Sequence, residues 1–72
     1  MQAVWHRDSH YSLVADVRDM QLVVSWIGGG WAARFLINRR ARRSSSLFPI
    51  QSGHRDSMKQ AMDAAKHMAE HL

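Results

Sequence analysis

The sequence predicts an α+β fold, a small antiparallel sheet of three or four strands with one C-terminal helix packed on one face, in the order β-β-β-β-α. Three observations predict it: apolar residues alternate with period two between Tyr11 and Ile37, glycine and charged corners interrupt that alternation, and from Met58 onward apolar residues recur at offsets of three and four.

Each element has its own signal. Tyr11, Leu13, Ala15 and Val17 alternate with Ser12, Val14, Asp16 and Arg18, the mark of a half-buried strand. After the polar corner Arg18-Asp19, the segment MQLVVSWI sets Leu22, Val24 and Trp26 against Val23, Ser25 and Ile27, a β-branched and aromatic strand. The triplet Gly28 to Gly30 supplies the positive φ angles of a tight hairpin. In WAARFLIN, Trp31, Ala33, Phe35 and Ile37 share one face, while Ala32, Arg34, Leu36 and Asn38 share the other. Residues 39–46 hold no apolar side chain except Ala41 and read as a loop. LFPIQ reads as the fourth strand, which Pro49 assigns to an edge because proline has no N–H for the ladder. QSGHRDS reads as a connecting turn, and Trp5 as part of a short leading strand or as a residue packed beside the core.

The last element is an amphipathic helix. Met58, Ala61, Met62, Ala65, Met68, Ala69 and Leu72 form its apolar side, and Lys59, Gln60, Asp63, Lys66, His67, Glu70 and His71 its polar side. Ser57 followed by Gln60 has the spacing of a capping box.

Length and charge bound the function. A chain of 72 residues makes one domain, residues 1–72, and a domain of this size buries only about 60% of the surface its unfolded chain exposes. A core so small rarely supplies more than roughly 3–5 kcal/mol. With no cysteine, disulfides and thiolate metal sites are both excluded, so self-association is the expected source of added stability. The absence of cysteine fits a cytoplasmic protein. No apolar run suits a signal peptide or a membrane span, so no membrane partner is expected. Ten Lys and Arg face six Asp and Glu, a net charge of +4. Without Arg39, Arg40, Arg42 and Arg43 the count is six against six, so the excess sits in one short segment.

A leading Trp5, a strand opened by Tyr11, a hairpin, the pair Gly30-Trp31 and a last helix carrying Ser57, Ala61 and Ala65 resemble a diffuse group of short phage, prophage and plasmid proteins. The helix is also similar to the end of HicB-type antitoxin domains, which share the order sheet then helix, although their Pro-Gly turn is missing here. The resemblance implies a sheet with a terminal helix and a small interaction protein encoded by a mobile element. It carries over no catalytic residue.

Two surfaces are candidates for binding. Arg39, Arg40, Arg42 and Arg43, with Arg34 nearby in sequence, suit nucleic-acid phosphate because each guanidinium presents a planar fork of donors. Such contacts position a protein without reading bases. The bland alternative is a solvated loop that keeps the sheet soluble. Val14, Val23, Ile27 and Leu36, with Ala32, make the face turned away from the helix too apolar for plain exposure, which marks an interface. A homodimer formed sheet to sheet or edge to edge follows from it. Base stacking on that face needs exposed aromatics, yet Trp26 and Trp31 fall on the core side in this register.

Other patterns have simpler readings. A strand, not a helix, follows the glycine triplet, so it is a hairpin and not a phosphate cradle. Asp63, His67 and His71 stand at i, i+4 and i+8 on the polar helix face and read as solvated, with the histidines favoured by the helix C-terminus. Ser9 and His10 have nothing to orient them as nucleophile and base. The expected function is therefore a non-enzymatic module that binds nucleic acid or another polyanion through residues 39–43, without metal or cofactor. The alternative is a homodimeric protein-interaction or inhibitor protein, of the anti-defence or antitoxin type, acting through the apolar outer face.

Overall fold

The alternating segments pair with their sequence neighbours as an antiparallel meander. The computed structural model describes residues 3–30, 32–44 and 46–72. Among them five strands follow chain order across one sheet: β1 (His6–Ser9), β2 (Ser12–Val17), β3 (Met20–Ile27), β4 (Ala32–Arg40) and β5 (Leu47–Arg55). A 13-residue helix, α1 (Met58–Glu70), completes the fold. The α+β class is the one expected, with five strands in place of three or four.

Register follows the pleat. Leu13 pairs with Val24 and Val24 with Phe35, while Ala15 pairs with Leu22 and Leu22 with Ile37. These residues lie on the inner face, and all but the half-buried Leu13 are completely enclosed. The complementary row Val14, Val23, Leu36 and Ser52 lies on the outer face. Hairpins connect the strands. Arg18 adopts φ 57° in the β2–β3 turn, and Gly28 and Gly29 take φ 48° and 78° between β3 and β4.

The helix approaches closely because its buried stripe is small. Ala61, Ala65 and Ala69 are fully enclosed beneath it, and Met58 closes its first turn. The bulk comes from the sheet, in Phe35, Met20, Leu22, Ile37 and Val24. Ser57 caps the helix by accepting the Gln60 backbone N–H at 3.2 Å, one half of the capping box. The helix lies over β4, β3 and β5, and Ala3 and Trp5 pack against the same core from the N-terminal side. Trp5 immediately precedes β1 and is not part of it, so of the two alternatives the packing role holds.

Several expectations need correction. QSGHR belongs to β5, not to a turn, and only Asp56 and Ser57 separate it from the helix. Gly53 sits opposite Phe35, where an added Cβ would meet ring atom Cζ at 2.7 Å. The glycine is therefore there for close approach. Arg55 stacks on the same ring, with its guanidinium carbon 5.3 Å from the centroid. β4 runs through Arg40, so Arg39 and Arg40 are strand residues and the loop starts at Ala41. Pro49 does lie on an edge strand, beside a register shift against Ile37 and Asn38.

Four side chains leave the surfaces expected of them. Tyr11, placed inward by alternation, is in the β1–β2 turn and 69% exposed. Trp26 keeps its inward register opposite Ala33 but falls outside the core and is 41% exposed. Arg18 escapes the outer face because its turn conformation sends the guanidinium to the Ala69 carbonyl. Leu72 lies past the helix end and is exposed. Trp31, expected on the core side, lies outside the described residues.

The alanine stripe makes a direct prediction. Ala65→Leu keeps helix propensity but adds volume where no space exists, and it should cost about 1–3 kcal/mol in urea unfolding, with the denaturant slope unchanged.

Candidate nucleic-acid interface

The arginine segment divides according to strand geometry. Arg39 pairs with Met20 and so lies on the helix side of the sheet. Its Nε stands 3.5 Å from Asp19 Oδ2, and an Nη donates to the Leu72 carbonyl at 3.5 Å. The buried Nε is not aligned for a hydrogen bond to that carboxylate, so the pair is held by charge alone. Arg18 donates to the Ala69 carbonyl. Arg18 thus meets one of the last carbonyls of α1, where the helix dipole favours cations, and Arg39 meets a carbonyl two residues beyond the helix. Sequence reasoning missed this role because the contacts span 51 residues for Arg18 and 33 for Arg39.

Arg40 has the opposite orientation, with an Nη 3.8 Å from Asp16 Oδ1 on the outer face. Beyond it, Ala41 donates its N–H to the Ser46 carbonyl at 2.9 Å and closes the loop. Ser46 donates to Ser44 Oγ at 3.2 Å, a local bond that tightens the tip. Arg42 and Arg43 project from this tip, both exposed, and neither is in an ion pair among the described residues. Arg34 is also exposed, on the outer face between Ser25 and His54. It stands six positions before Arg40 in the same strand, about 20 Å along the sheet. The structure therefore brings Arg40, Arg42 and Arg43 together, assigns Arg39 to the helix end, and leaves Arg34 apart.

Val14, Val23 and Leu36 form one cross-strand row on the outer face, each half-buried, and no element packs over them among the described residues. Ile27 stands at the end of β3 opposite Ala32 and is 37% exposed. Ser12, expected on the same open face, is buried because the β1 hairpin folds over it, with Ser9 Oγ at 2.8 Å and Asp8 Oδ2 at 3.4 Å.

No family model matches the chain, and neither does any curated protein or any solved structure. The site is therefore read from its own geometry. No helix among the described residues is long and apolar enough to cross a membrane. Also among the described residues, no group of three His, Asp or Glu side chains converges as a metal site. His67 and His71 meet edge to face with centroids 4.7 Å apart, beside a shallow hollow shared by Asp63, Lys66 and Glu70. Ser9 Oγ is engaged by Ser12 Oγ and by the Tyr11 N–H at 3.2 Å, so its hydroxyl serves the turn.

A second hollow lies at the other end of the sheet from the arginine tip, lined by His10, Tyr11, Trp26, Gly28 and Gly29. Period-two reasoning hid it by assigning both aromatic rings to the core. A signal was available in Trp26 itself, two residues before the glycine triplet and so at the last row of its strand.

The division of the arginines is measurable. Arg39→Ala should lower unfolding stability by about 1 kcal/mol, through the partly exposed ion pair and the contact at the helix end. Arg43→Ala should stay within about 0.5 kcal/mol of the parent in the same chemical denaturation.

Proposed function

We propose that the chain is a non-enzymatic binding module that holds nucleic-acid phosphates with the β4–β5 hairpin tip. The observation that carries this reading is the exposure of Arg42 and Arg43 at the tip, without acidic partners among the described residues, in a chain whose charge excess lies in this one segment. Arg40 flanks them on the outer face, its charge partly met by Asp16. Guanidinium groups on a hairpin tip contact phosphates and release counterions, which gives affinity with little sequence preference. The reading sets the protein in the cytoplasm beside its polyanion. It also suits a short mobile-element protein, the kind its order of elements resembles.

The salt dependence of binding tests it. With a labelled oligonucleotide between roughly 50 and 200 mM salt, the logarithm of affinity should fall against the logarithm of salt with a slope of about −2 to −3. Replacing Arg42 and Arg43 together by serine should flatten that slope by about 2. An unchanged slope in the double variant, or no binding at low salt, would overturn the reading.

A second reading is favoured by the uncovered row Val14, Val23 and Leu36. It makes the protein a homodimer, or an inhibitor of another protein, joined through the outer face. Both sheet edges oppose the edge-to-edge form: β1 has four residues and an irregular register, and β5 carries Pro49 beside its register shift. A face-to-face dimer should appear in sedimentation equilibrium and dissociate in Leu36→Arg, with the circular dichroism of the fold retained. A parent chain that stays monomeric at every concentration sinks the dimer.

A further inference from the structure

We infer that the hollow between Tyr11 and Trp26 is a stacking site for a planar heteroaromatic ring of the nucleobase class. It stands apart from the arginine reading, because seven residues of β4, about 23 Å of strand, separate the Ala33 row beside Trp26 from Arg40.

Size comes first. The hollow measures about 550 Å³ and is half open to solvent, within the roughly 300–1,000 Å³ usual for small-molecule sites. Its walls are two exposed aromatic rings, and such rings on a small domain otherwise leave a large apolar area in water. The backbones that carry the two rings are joined directly: the Trp26 backbone N–H donates to the Tyr11 carbonyl at 2.9 Å, and the Tyr11 N–H donates to Ser9 Oγ at 3.2 Å. The His10 ring meets Tyr11 edge to face, with centroids 6.4 Å apart.

The remaining lining limits the chemistry. Gly28 and Gly29 put bare backbone at the margin, and a Cβ added at Gly28 would meet nothing within 4 Å, so a flat ligand can enter there without a side chain in its way. The polar groups available are the Tyr11 hydroxyl, the His10 imidazole and backbone amides, which suit a ring carrying nitrogen and oxygen acceptors. Among the described residues, no carboxylate or side-chain amide lines the hollow, as recognition of several sugar hydroxyls would require, and no Lys or Arg lines it, so a neutral nucleoside is sufficient. Aromatic stacking on a base tolerates any sequence, because every base offers a π face.

The ring is presented either by a free nucleotide or by one base of a single strand, and the experiment separates the two. Adenosine, adenosine monophosphate and a short oligodeoxyadenylate are each titrated into the labelled full chain and followed by proton–nitrogen correlation spectra. Saturable shifts are expected at the Trp26 indole N–H and at the Tyr11 and Gly28 amides, with the Trp5 indole unmoved. Tyr11→Ala should weaken binding at least about tenfold and Tyr11→Phe should restore it, as stacking requires. Tyr11 is exposed, so an otherwise unchanged spectrum certifies that the variant is folded. With Arg42 and Arg43 both replaced by serine, tighter binding of the oligonucleotide than of the monophosphate at this site assigns the ring to a strand, and equal binding assigns it to a free nucleotide. Adenosine shifts should persist when Arg42 and Arg43 are both serine, which keeps this site distinguishable from the hairpin. Absence of saturable shifts with all three probes, or shifts that Tyr11→Ala leaves intact, overturns the inference.

Discussion

The close seating of one helix on one face of the sheet is the constraint from which the rest of the structure follows. Ala61, Ala65 and Ala69 give α1 an edge without bulk, so Phe35, Leu22, Ile37 and Val24 fill the space between the layers. Thirteen residues of helix extend about 20 Å, and the helix lies over β3, β4 and β5. Whatever it does not cover must be covered by something else or stay wet. Trp5 and Ala3 close part of the remainder, Trp26 stays open at the last inner row, and among the described residues no second layer covers the outer face.

Much of this was legible from the order of residues. The alternation in β2, β3 and β4 assigned Leu13, Val24, Phe35 and Ile37 to one side and Val14, Val23 and Leu36 to the other, and the pairings agree. The helix and its Ser57 cap were equally clear, because their signals are local. What escaped depends on partners far along the chain. Gly53 reads as punctuation, yet it stays in a strand because the Phe35 ring occupies the place of its side chain. Arg39 and Arg40 read as loop, yet pairing with Phe48 and Leu47 extends β4 through both of them. Trp26 obeys the alternation and still faces water, since parity specifies the side of a sheet and not what lies over it, while Tyr11 falls in the turn before β2, where strand parity does not apply.

For the candidate surfaces the lesson concerns distribution. Four arginines crowded in sequence become three different environments when a strand turns alternate residues to opposite sides and then bends away. One is half-buried beside the helix end, one leans on Asp16, and two extend from the tip. Local density of charge in a sequence therefore overstates its density in space. The residues available to a polyanion are those the fold has no use for.

The bond from Arg18 to the Ala69 carbonyl has a further consequence, for how the chain reaches this state. Every strand pairs with its immediate predecessor, so the meander assembles by short closures, each with a small entropic toll. The helix alone must return across most of the polypeptide, and its far end is fastened to a turn 51 residues upstream. Docking of the helix is then the step with the longest loop to close, and the Arg18 bond ties the last turn of α1 to the β2–β3 corner.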